Sequence, residues 1–204
     1  MSLFLLLLPV QAAEIQIQLI DKKGRGVSQA FVELIAKDGT RRATPSTAII
    51  DQVDKEFVPL ISAIPQGSTV SFPNSDNIQH QIYSFSKAKK FDLPLLAKNE
   101  SKKITFDKSG IVSLGCNIHD WMLSYIYIFE SEFVVQSNDK GTSAFTDIPH
   151  GEYSLRIWSP RMKSTSNFIS QEITVQEGNN PIITQELNVR KKIRKKPRLE
   201  DGEY

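Results

Sequence analysis

The chain of 204 residues has 40% hydrophobic and 24% charged side chains, which is typical of a globular protein with one large or two small domains. Its net charge of +2 is unevenly distributed, because residues 190–204 carry seven basic and three acidic side chains and the rest is slightly acidic. This composition excludes a broad positive surface, so we expect no nucleic-acid partner. Residues 190–204 are predicted to be a basic, disordered tail.

The N-terminus has the pattern of an export signal. Residues 3–10 form an apolar run that is too short for the ~20 residues needed to span a bilayer, and the small residues Ala12 and Ala13 follow it. We therefore predict a signal peptide over residues 1–13, cleaved after Ala12 or Ala13, and a periplasmic or otherwise exported protein. The alternative is that the run forms a buried first strand. No other stretch is apolar enough for a transmembrane span.

Short segments rich in β-branched and aromatic residues make up most of the remaining chain. Turn signals separate them about every eight to twelve residues, and no long stripe of helical period occurs. Residues 88–99, around Pro94, are the least strand-like part and are predicted to be a loop. The pattern predicts an all-β protein built of β-sandwiches. In chain order, the predicted strands are IQIQLID, AFVELIAKD, STVSFPN, HQIYSFS, SKKITFD, GIVSLGC, SYIYIFE, FVVQSNDKG, SAFTDIP, GEYSLRIWSP, FISQEITVQ and PIITQELNV.

The two ends of the chain carry the pattern of a single module. Asp21 and Gly24 form a turn after the first strand, and residues 30–34 read Ala-x-Val-x-Leu. Further on, a glycine precedes an aromatic residue in 141–145, and residues 149–155 read Pro-x-Gly-x-Tyr-x-Leu. This pattern resembles the carboxypeptidase regulatory-like, or transthyretin-like, β-sandwich. The resemblance implies that the two ends are two parts of one sandwich.

The same resemblance implies a division of the chain between the signal peptide and the basic tail. Residues 14–44 and 133–189 would be the first and second parts of the carboxypeptidase regulatory-like sandwich, with residues 45–132 inserted between them as a separate domain. Insertion at an exposed loop is tolerated because the ends of a small sandwich lie close together. The alternative is three consecutive segments, with the first packed on the middle one.

The stretch GCNIHDWM contains the only cysteine of the chain, Cys116, together with His119 and Met122. A lone cysteine in an exported protein cannot form an intramolecular disulfide, so it is an inert core residue, a link to another chain or a ligand. A thiolate, two imidazoles and a weak thioether are the ligands of a mononuclear copper electron-transfer site. Of the other two histidines, His80 lies ahead of a predicted strand and His150 lies in a distant turn, so His80 is the natural fourth ligand.

Other chemistries fit the sequence less well. Zinc is the rival metal, but methionine is a poor zinc ligand. Asp120 would favour zinc, yet its position beside His119 makes ligation by both side chains awkward. The sequence has no hydrolase motif and no phosphate-binding loop, and four protein ligands leave no open position for a substrate. We therefore expect that the protein is not an enzyme.

Residues from about 53 to 130 resemble a cupredoxin of the plastocyanin and amicyanin type. The Cys-x-x-His-x-x-Met spacing is similar to the short ligand loop of amicyanin, and the segment FVPLISAIPQGSTVSFPNSDNIQHQIYSFS is similar to the first ligand region of the family. The whole chain resembles exported cupredoxin-containing proteins of the methylamine utilisation type. The resemblance implies a Greek-key β-sandwich that binds one type 1 copper ion through His80, Cys116, His119 and Met122.

The resemblance also implies a function, that of an exported blue copper protein that carries single electrons between redox partner proteins. The alternatives are a copper-binding or delivery protein without electron transfer, and a metal-free structural or interaction protein. The sequence departs from the family at Gln81, where many members have an asparagine that braces the ligand loops. It also has Asp120 and Trp121 inside the ligand loop, where Trp121 is expected to cap the copper or to face a partner.

Overall fold

The computed structural model describes residues 13–39, 41–164, 167–178 and 180–190. The predicted signal-peptide residues 1–12 and the tail residues 191–204 lie outside these ranges. The described residues form strands joined by turns and loops, without any helix, so the predicted all-β fold class is confirmed. In this part of the chain there is accordingly no helix with the length and apolar character needed to cross a membrane.

The described residues contain many short strands, and the loop predicted around Pro94 includes one of them. This strand, β9, pairs with β8 as a hairpin at the edge of a sheet, so pairing rather than sequence pattern makes it a strand. The strands are β1 (Ala13–Asp21), β2 (Phe31–Ala36), β3 (Thr47–Ile49), β4 (Asp51–Val53), β5 (Glu56–Val58), β6 (Ile61–Pro65), β7 (Thr69–Pro73), β8 (Tyr83–Phe85), β9 (Lys90–Asp92), β10 (Ser101–Thr105), β11 (Gly110–Gly115), β12 (Leu123–Phe129), β13 (Val134–Gln136), β14 (Thr142–Ile148), β15 (Gly151–Trp158), β16 (Ile169–Val175) and β17 (Ile183–Leu187).

Strands from the two ends of the chain form the terminal sandwich, which consists of the sheets β14-β1-β17 and β13-β2-β15-β16. Strand β1 alternates buried residues with more exposed ones, so that Ile15, Ile17 and Leu19 all face the core between the two sheets. Ala13 is fully buried and pairs with Ile148, so cleavage of a signal peptide after Ala12 would leave β1 whole. The predicted domain limits themselves stay a prediction.

Strands β3 to β12 form the central sandwich, which consists of the sheets β10-β7-β3 and β6-β12-β11-β8-β9 with the hairpin β4–β5 beside them. Two pairings, β3 with β7 and β6 with β12, are parallel, and the others are antiparallel. Val70 and Phe72 from one sheet and Val112 and Ile126 from the other are fully buried in a common core. This packing of two sheets brings the loops at one end of the sandwich together.

An aromatic layer joins the two sandwiches. Strand β12 is buried on both faces, with Ile126 directed to the central core and Tyr127 to this layer. The Tyr127 ring stacks on Phe31 of β2 with the ring centroids 5.2 Å apart, and on Trp158 of β15 at 5.9 Å. Sheets from the two sandwiches therefore pack against each other through aromatic side chains that are excluded from water.

One carboxyl group, that of Glu33, lies buried beside the aromatic layer. Its Oε2 atom accepts a hydrogen bond of 2.7 Å from the Tyr127 hydroxyl. Its Oε1 atom accepts backbone N–H bonds of 2.7 Å from Glu130 and 2.9 Å from Ser131. Burial raises the pKa of the Glu33 carboxyl above its usual 4.5, and these three hydrogen bonds partly offset that rise. The group is thus satisfied without water, and it connects β2 to the end of β12.

Candidate metal centre

The loop between β11 and β12 holds Cys116, His119 and Met122. Strand β11 ends at Gly115 and strand β12 begins at Leu123, and these two residues pair with each other in an antiparallel ladder. The loop between them therefore stays at one end of the central sandwich. A hydrogen bond of 3.0 Å from the Met122 N–H to the His119 carbonyl closes it into a tight turn. Cys116 is a free thiol that is 3% exposed, and Met122 is buried in the same apolar cluster.

A second loop, between β7 and β8, carries His80. The His80 N–H donates to the Leu96 carbonyl at 3.2 Å, and the Leu96 N–H donates to the His80 carbonyl at 2.8 Å. The buried side chain of Asn74 holds the rest of the loop, because its Nδ2 donates to the carbonyls of Ile78 and Leu96 and its Oδ1 accepts the Asp76 N–H. His80 is consequently fully buried, at the end of the sandwich that also carries the cysteine loop.

Three of the four residues expected as ligands come together in the structure. One potential ligand atom from each of His80, Cys116 and His119 lies within 4.8 Å of the other two, and all three residues are buried. The two imidazole rings are 5.1 Å apart between their centroids. Met122 follows His119 in the same turn and lies in the same buried cluster as Cys116. His150, expected to be a turn residue, is exposed and lies 3.8 Å from Glu177.

The donor set fits a soft or borderline transition metal. Two imidazoles and a thiolate suit copper or zinc, and a weak thioether ligand beside them is typical of copper. The Nδ1 atom of His80 is buried and has no hydrogen-bond partner among the described residues. A buried imidazole nitrogen without a partner is costly, and a metal ion would supply the missing interaction. The chemistry of the group and this orphaned nitrogen both fit a bound ion.

Asp76 supports His80 from the opposite side of the ring. Its Oδ2 lies 2.7 Å from His80 Nε2, while its two oxygens accept the backbone N–H groups of Asp54 at 2.6 Å and Lys55 at 2.7 Å. Burial raises the pKa of the Asp76 carboxyl, but hydrogen bonds from Lys55, His80 and Asp54 outweigh it and leave the pKa below its usual 3.8. Asp76 is therefore an ionised acceptor, which places the proton of a neutral His80 ring on Nε2 and the lone pair on Nδ1.

Trp121 anchors the cysteine loop to the hairpin β4–β5. Its indole Nε1–H donates to the Lys55 carbonyl at 3.1 Å, and its half-buried ring lies 5.1 Å from the His119 ring between centroids. His119 is 9% exposed, whereas its neighbours Ile118 and Asp120 are exposed. The indole thus lies against His119 and holds its loop. From the sequence, Trp121 was expected either to cap the copper or to face a partner.

Gln81 connects the two loops despite its departure from the family pattern. Its Oε1 accepts a hydrogen bond of 2.6 Å from the Nδ2 of Asn117, the residue after Cys116, and its Nε2 donates to Asp92 at 2.6 Å. A longer amide side chain therefore spans the distance between the loops. The sequence signal for this contact was the pair of amides that directly follow two of the expected ligands.

Asn74 and Asp76 were not assigned roles from the sequence. Both lie in the stretch FPNSDNIQH, which carries the family-like Asn-x-Asp pattern ahead of the histidine. The pattern was visible, but the partners of Asp76 lie in another hairpin, so its part in the site became apparent only in the folded chain.

Comparison with solved structures adds partial likenesses. A copper-containing nitrite reductase from Thermus scotoductus is 30% identical over 43% of this chain, with a TM-score of 0.39, and the match spans only 23% of that enzyme. A purple cupredoxin from Nitrosopumilus maritimus is 24% identical over 40% of this chain and 99% of its own, with a TM-score of 0.37. An amicyanin variant in its reduced Cu(I) form is 15% identical over 50% of this chain and 99% of its own, with a TM-score of 0.38.

Each of these likenesses is confined to half of the chain or less. Neither a protein-family model nor a curated protein matches the chain. The geometry of the residues around His80 and Cys116 therefore has to support any assignment of function.

Proposed function

We propose that the central sandwich is a cupredoxin-type domain with a type 1 copper site. His80, Cys116 and His119 would be the three strong ligands and Met122 the weak axial one. The observation that carries this proposal is the convergence of three buried donors within 4.8 Å, one of which, His80, has a ring nitrogen without a partner among the described residues. Zinc is disfavoured because the fourth candidate, Met122, would offer a thioether in place of a firm ligand.

The proposed activity is one-electron transfer between redox partner proteins, without catalysis. A bound copper ion would supply the couple between Cu(II) and Cu(I). Cys116, His80 and Met122 are almost completely buried, so they would keep water away from the ion. The hydrogen bonds of Asn74 and Gln81 hold both ligand loops, so the ligands are arranged before the ion binds and would move little when its charge changes.

The wider context of the protein also belongs to this proposal. The protein would act in the periplasm or outside the cell. In these oxidising compartments, copper binding would explain why the buried Cys116 thiol is not part of a disulfide. The terminal sandwich, residues 14–44 together with 133–189, would be a carboxypeptidase regulatory-like scaffold or docking module. Its contact with the central sandwich through the aromatic layer would keep the copper domain in a fixed orientation.

The test is the optical spectrum of the purified protein after addition of Cu(II). We expect an intense visible band from charge transfer between the Cys116 thiolate and copper. The Cys116→Ser variant should lose the band while keeping its far-ultraviolet circular dichroism, and His150→Ala, which removes a histidine outside the group, should keep it. A colourless wild-type protein, or an unchanged Cys116→Ser spectrum, would contradict the type 1 assignment.

A further inference from the structure

One carboxylate links both ligand loops of the candidate metal centre. Asp76 contacts His80 Nε2 at 2.7 Å and also accepts the N–H of Lys55 at 2.7 Å. The carbonyl of the same Lys55 accepts the indole N–H of Trp121, whose ring lies against His119. A short chain of contacts therefore runs from His80 to His119 through the turn at residues 54–55.

We propose that Asp76 is a positioning residue that sets the orientation of both histidines, directly at His80 and through Lys55 and Trp121 at His119. This inference rests on the proposed copper site and names the residues that pre-arrange it. Asp76 does not touch the ligand atoms themselves, and it acts through the groups that it holds.

In the first arm of this proposal, Asp76 acts on the ring of His80. A carboxylate that accepts a hydrogen bond from one ring nitrogen fixes both the tautomer and the rotation of a histidine whose other nitrogen binds a metal. Here Nε2 faces Asp76, and the partnerless Nδ1 is the nitrogen left to serve the site. Without Asp76, the ring could place its proton on Nδ1, which would block that nitrogen as a ligand.

In the second arm, Asp76 acts on the turn at the tip of the hairpin β4–β5. Asp54 and Lys55 both have positive φ angles, of 51° and 58°, and their N–H groups point to the two oxygens of Asp76. Left-handed conformations are unfavourable for residues other than glycine, so the two hydrogen bonds to Asp76 help to maintain the turn. This turn also positions the Lys55 carbonyl that accepts the Trp121 hydrogen bond. Loss of Asp76 should therefore loosen the indole that covers His119.

The experiment compares Asp76→Ala with Asp51→Ala. Asp51 accepts hydrogen bonds from Ser75 and from the Gln52 N–H, so it ties the same hairpin to the same loop without contacting His80. Competition for Cu(I) against a chromophoric chelator gives the dissociation constant of each variant. We expect a weakening of about 10–100-fold for Asp76→Ala, as is usual for removal of such a supporting group, and a change of less than about threefold for Asp51→Ala.

Two further measurements separate positioning from general stability. In the metal-free wild-type protein, ¹⁵N NMR should show the His80 proton on Nε2, and Asp76→Ala should give a mixture of tautomers. Trp121→Phe keeps an aromatic ring and removes the bond to Lys55, so it should weaken Cu(I) binding. Its effect and that of Asp76→Ala should be less than additive in the double variant, because both variants act through Lys55.

The outcomes distinguish this inference from the proposed function. Equal Cu(I) affinities of wild type, Asp76→Ala and Asp51→Ala, in a wild type that binds copper with the expected band, would overturn the role of Asp76 alone. An unchanged His80 tautomer in metal-free Asp76→Ala would overturn the first arm, and strictly additive effects in the double variant would overturn the second. A wild type that binds no copper would overturn the proposed function, while the tautomer measurement would still test the contact between Asp76 and His80.

Discussion

At the scale of single residues, Gly115 shows how closely the ligand loop is packed. It is the last residue of β11, directly before Cys116, and it pairs with Tyr83 of β8. A Cβ atom at this position would lie 2.6 Å from the Cζ and hydroxyl oxygen of the Tyr83 ring, far inside the contact distance. The absence of a side chain at Gly115 therefore allows the tyrosine ring to lie over the backbone that delivers the thiolate.

We predict that Gly115→Ala destabilises the protein and weakens its copper binding. Because the added methyl group forces the half-buried Tyr83 ring to move, the free energy of unfolding should fall by about 1 kcal/mol, the low end of the usual cost of overpacking. Denaturant unfolding and the Cu(I) dissociation constant are the measurements. In the background of Tyr83→Ala, the same glycine substitution should cost much less, and an equal cost in both backgrounds would contradict the steric explanation.

At the scale of elements, β12 is the strand that contributes to both cores and follows the candidate metal loop. Its residues alternate between the central core and the aromatic layer, so no face of the strand reaches water over Ser124 to Ile128. At its far end, Tyr127 donates to the buried carboxyl of Glu33 on β2. The strand that starts after Met122 is thus tied to the terminal sandwich by a hydrogen bond that water does not reach.

We predict that Tyr127→Phe lowers the free energy of unfolding by about 1–3 kcal/mol near neutral pH, because a buried carboxylate loses a donor. The pKa of Glu33 is raised in the folded chain, which therefore binds this proton more readily than the unfolded chain. The contribution of Glu33 to stability then falls as the pH rises above the unfolded value of 4.5. The Tyr127 hydrogen bond lowers the pKa of Glu33, so its loss raises that pKa further and enlarges the decrease in stability at higher pH. The variant should therefore lose more stability near neutral pH than near pH 4.

Tyr153→Phe is the matched control for this prediction. The Tyr153 hydroxyl donates to the Pro149 carbonyl at 2.8 Å, so its removal also costs one hydrogen bond but leaves no carboxylate without a donor. Its loss of stability should be smaller and should not vary between pH 4 and neutrality. A Tyr127→Phe cost that is equally independent of pH would contradict the role given to Glu33.

At the scale of the whole molecule, the aromatic layer decides how the two sandwiches behave together. Trp158 is fully buried within it, and its ring stacks on Phe31 and lies 5.7 Å from that of Tyr125 of the central sandwich. Aromatic contacts of this kind stabilise an interface both through the apolar area that they bury and through the favourable geometry of the ring pairs. The layer is therefore expected to make the two sandwiches unfold as one cooperative unit.

We predict that Trp158→Ala lowers the free energy of unfolding by about 3–5 kcal/mol and separates the unfolding transitions of the two sandwiches. Calorimetry of the full chain is the measurement, with the copper band as a probe of the central sandwich alone. Leu34→Ala, which truncates a fully buried residue inside the terminal core, should destabilise without separating the transitions. A single transition for Trp158→Ala would contradict the prediction, because it would show that the coupling between the sandwiches does not depend on this ring.

Much of the candidate site could be predicted from the sequence because its chemistry is local. Cys116, His119 and Met122 lie within one short loop, so their proximity follows from chain connectivity between two strands. His80 followed from the small number of histidines and from its position ahead of a strand. The all-β class followed from short, regularly spaced segments, since strand periodicity is also a local property. The domain limits and the signal peptide remain predictions.

Only the tertiary structure decided which groups support those candidate ligands. Asp76 accepts a hydrogen bond from the Lys55 N–H, and the Lys55 carbonyl accepts one from Trp121, 66 residues further along the chain. These contacts form because packing of the central sandwich places the loops at one end. The same holds for the brace between Gln81 and Asn117 and for strand β9, which exists through its pairing with β8. Contacts between distant segments depend on the arrangement of whole sheets, and no local pattern in the chain encodes them. The sequence by itself thus determined the types of the candidate ligands and the strand content, while the fold determined how these side chains are held.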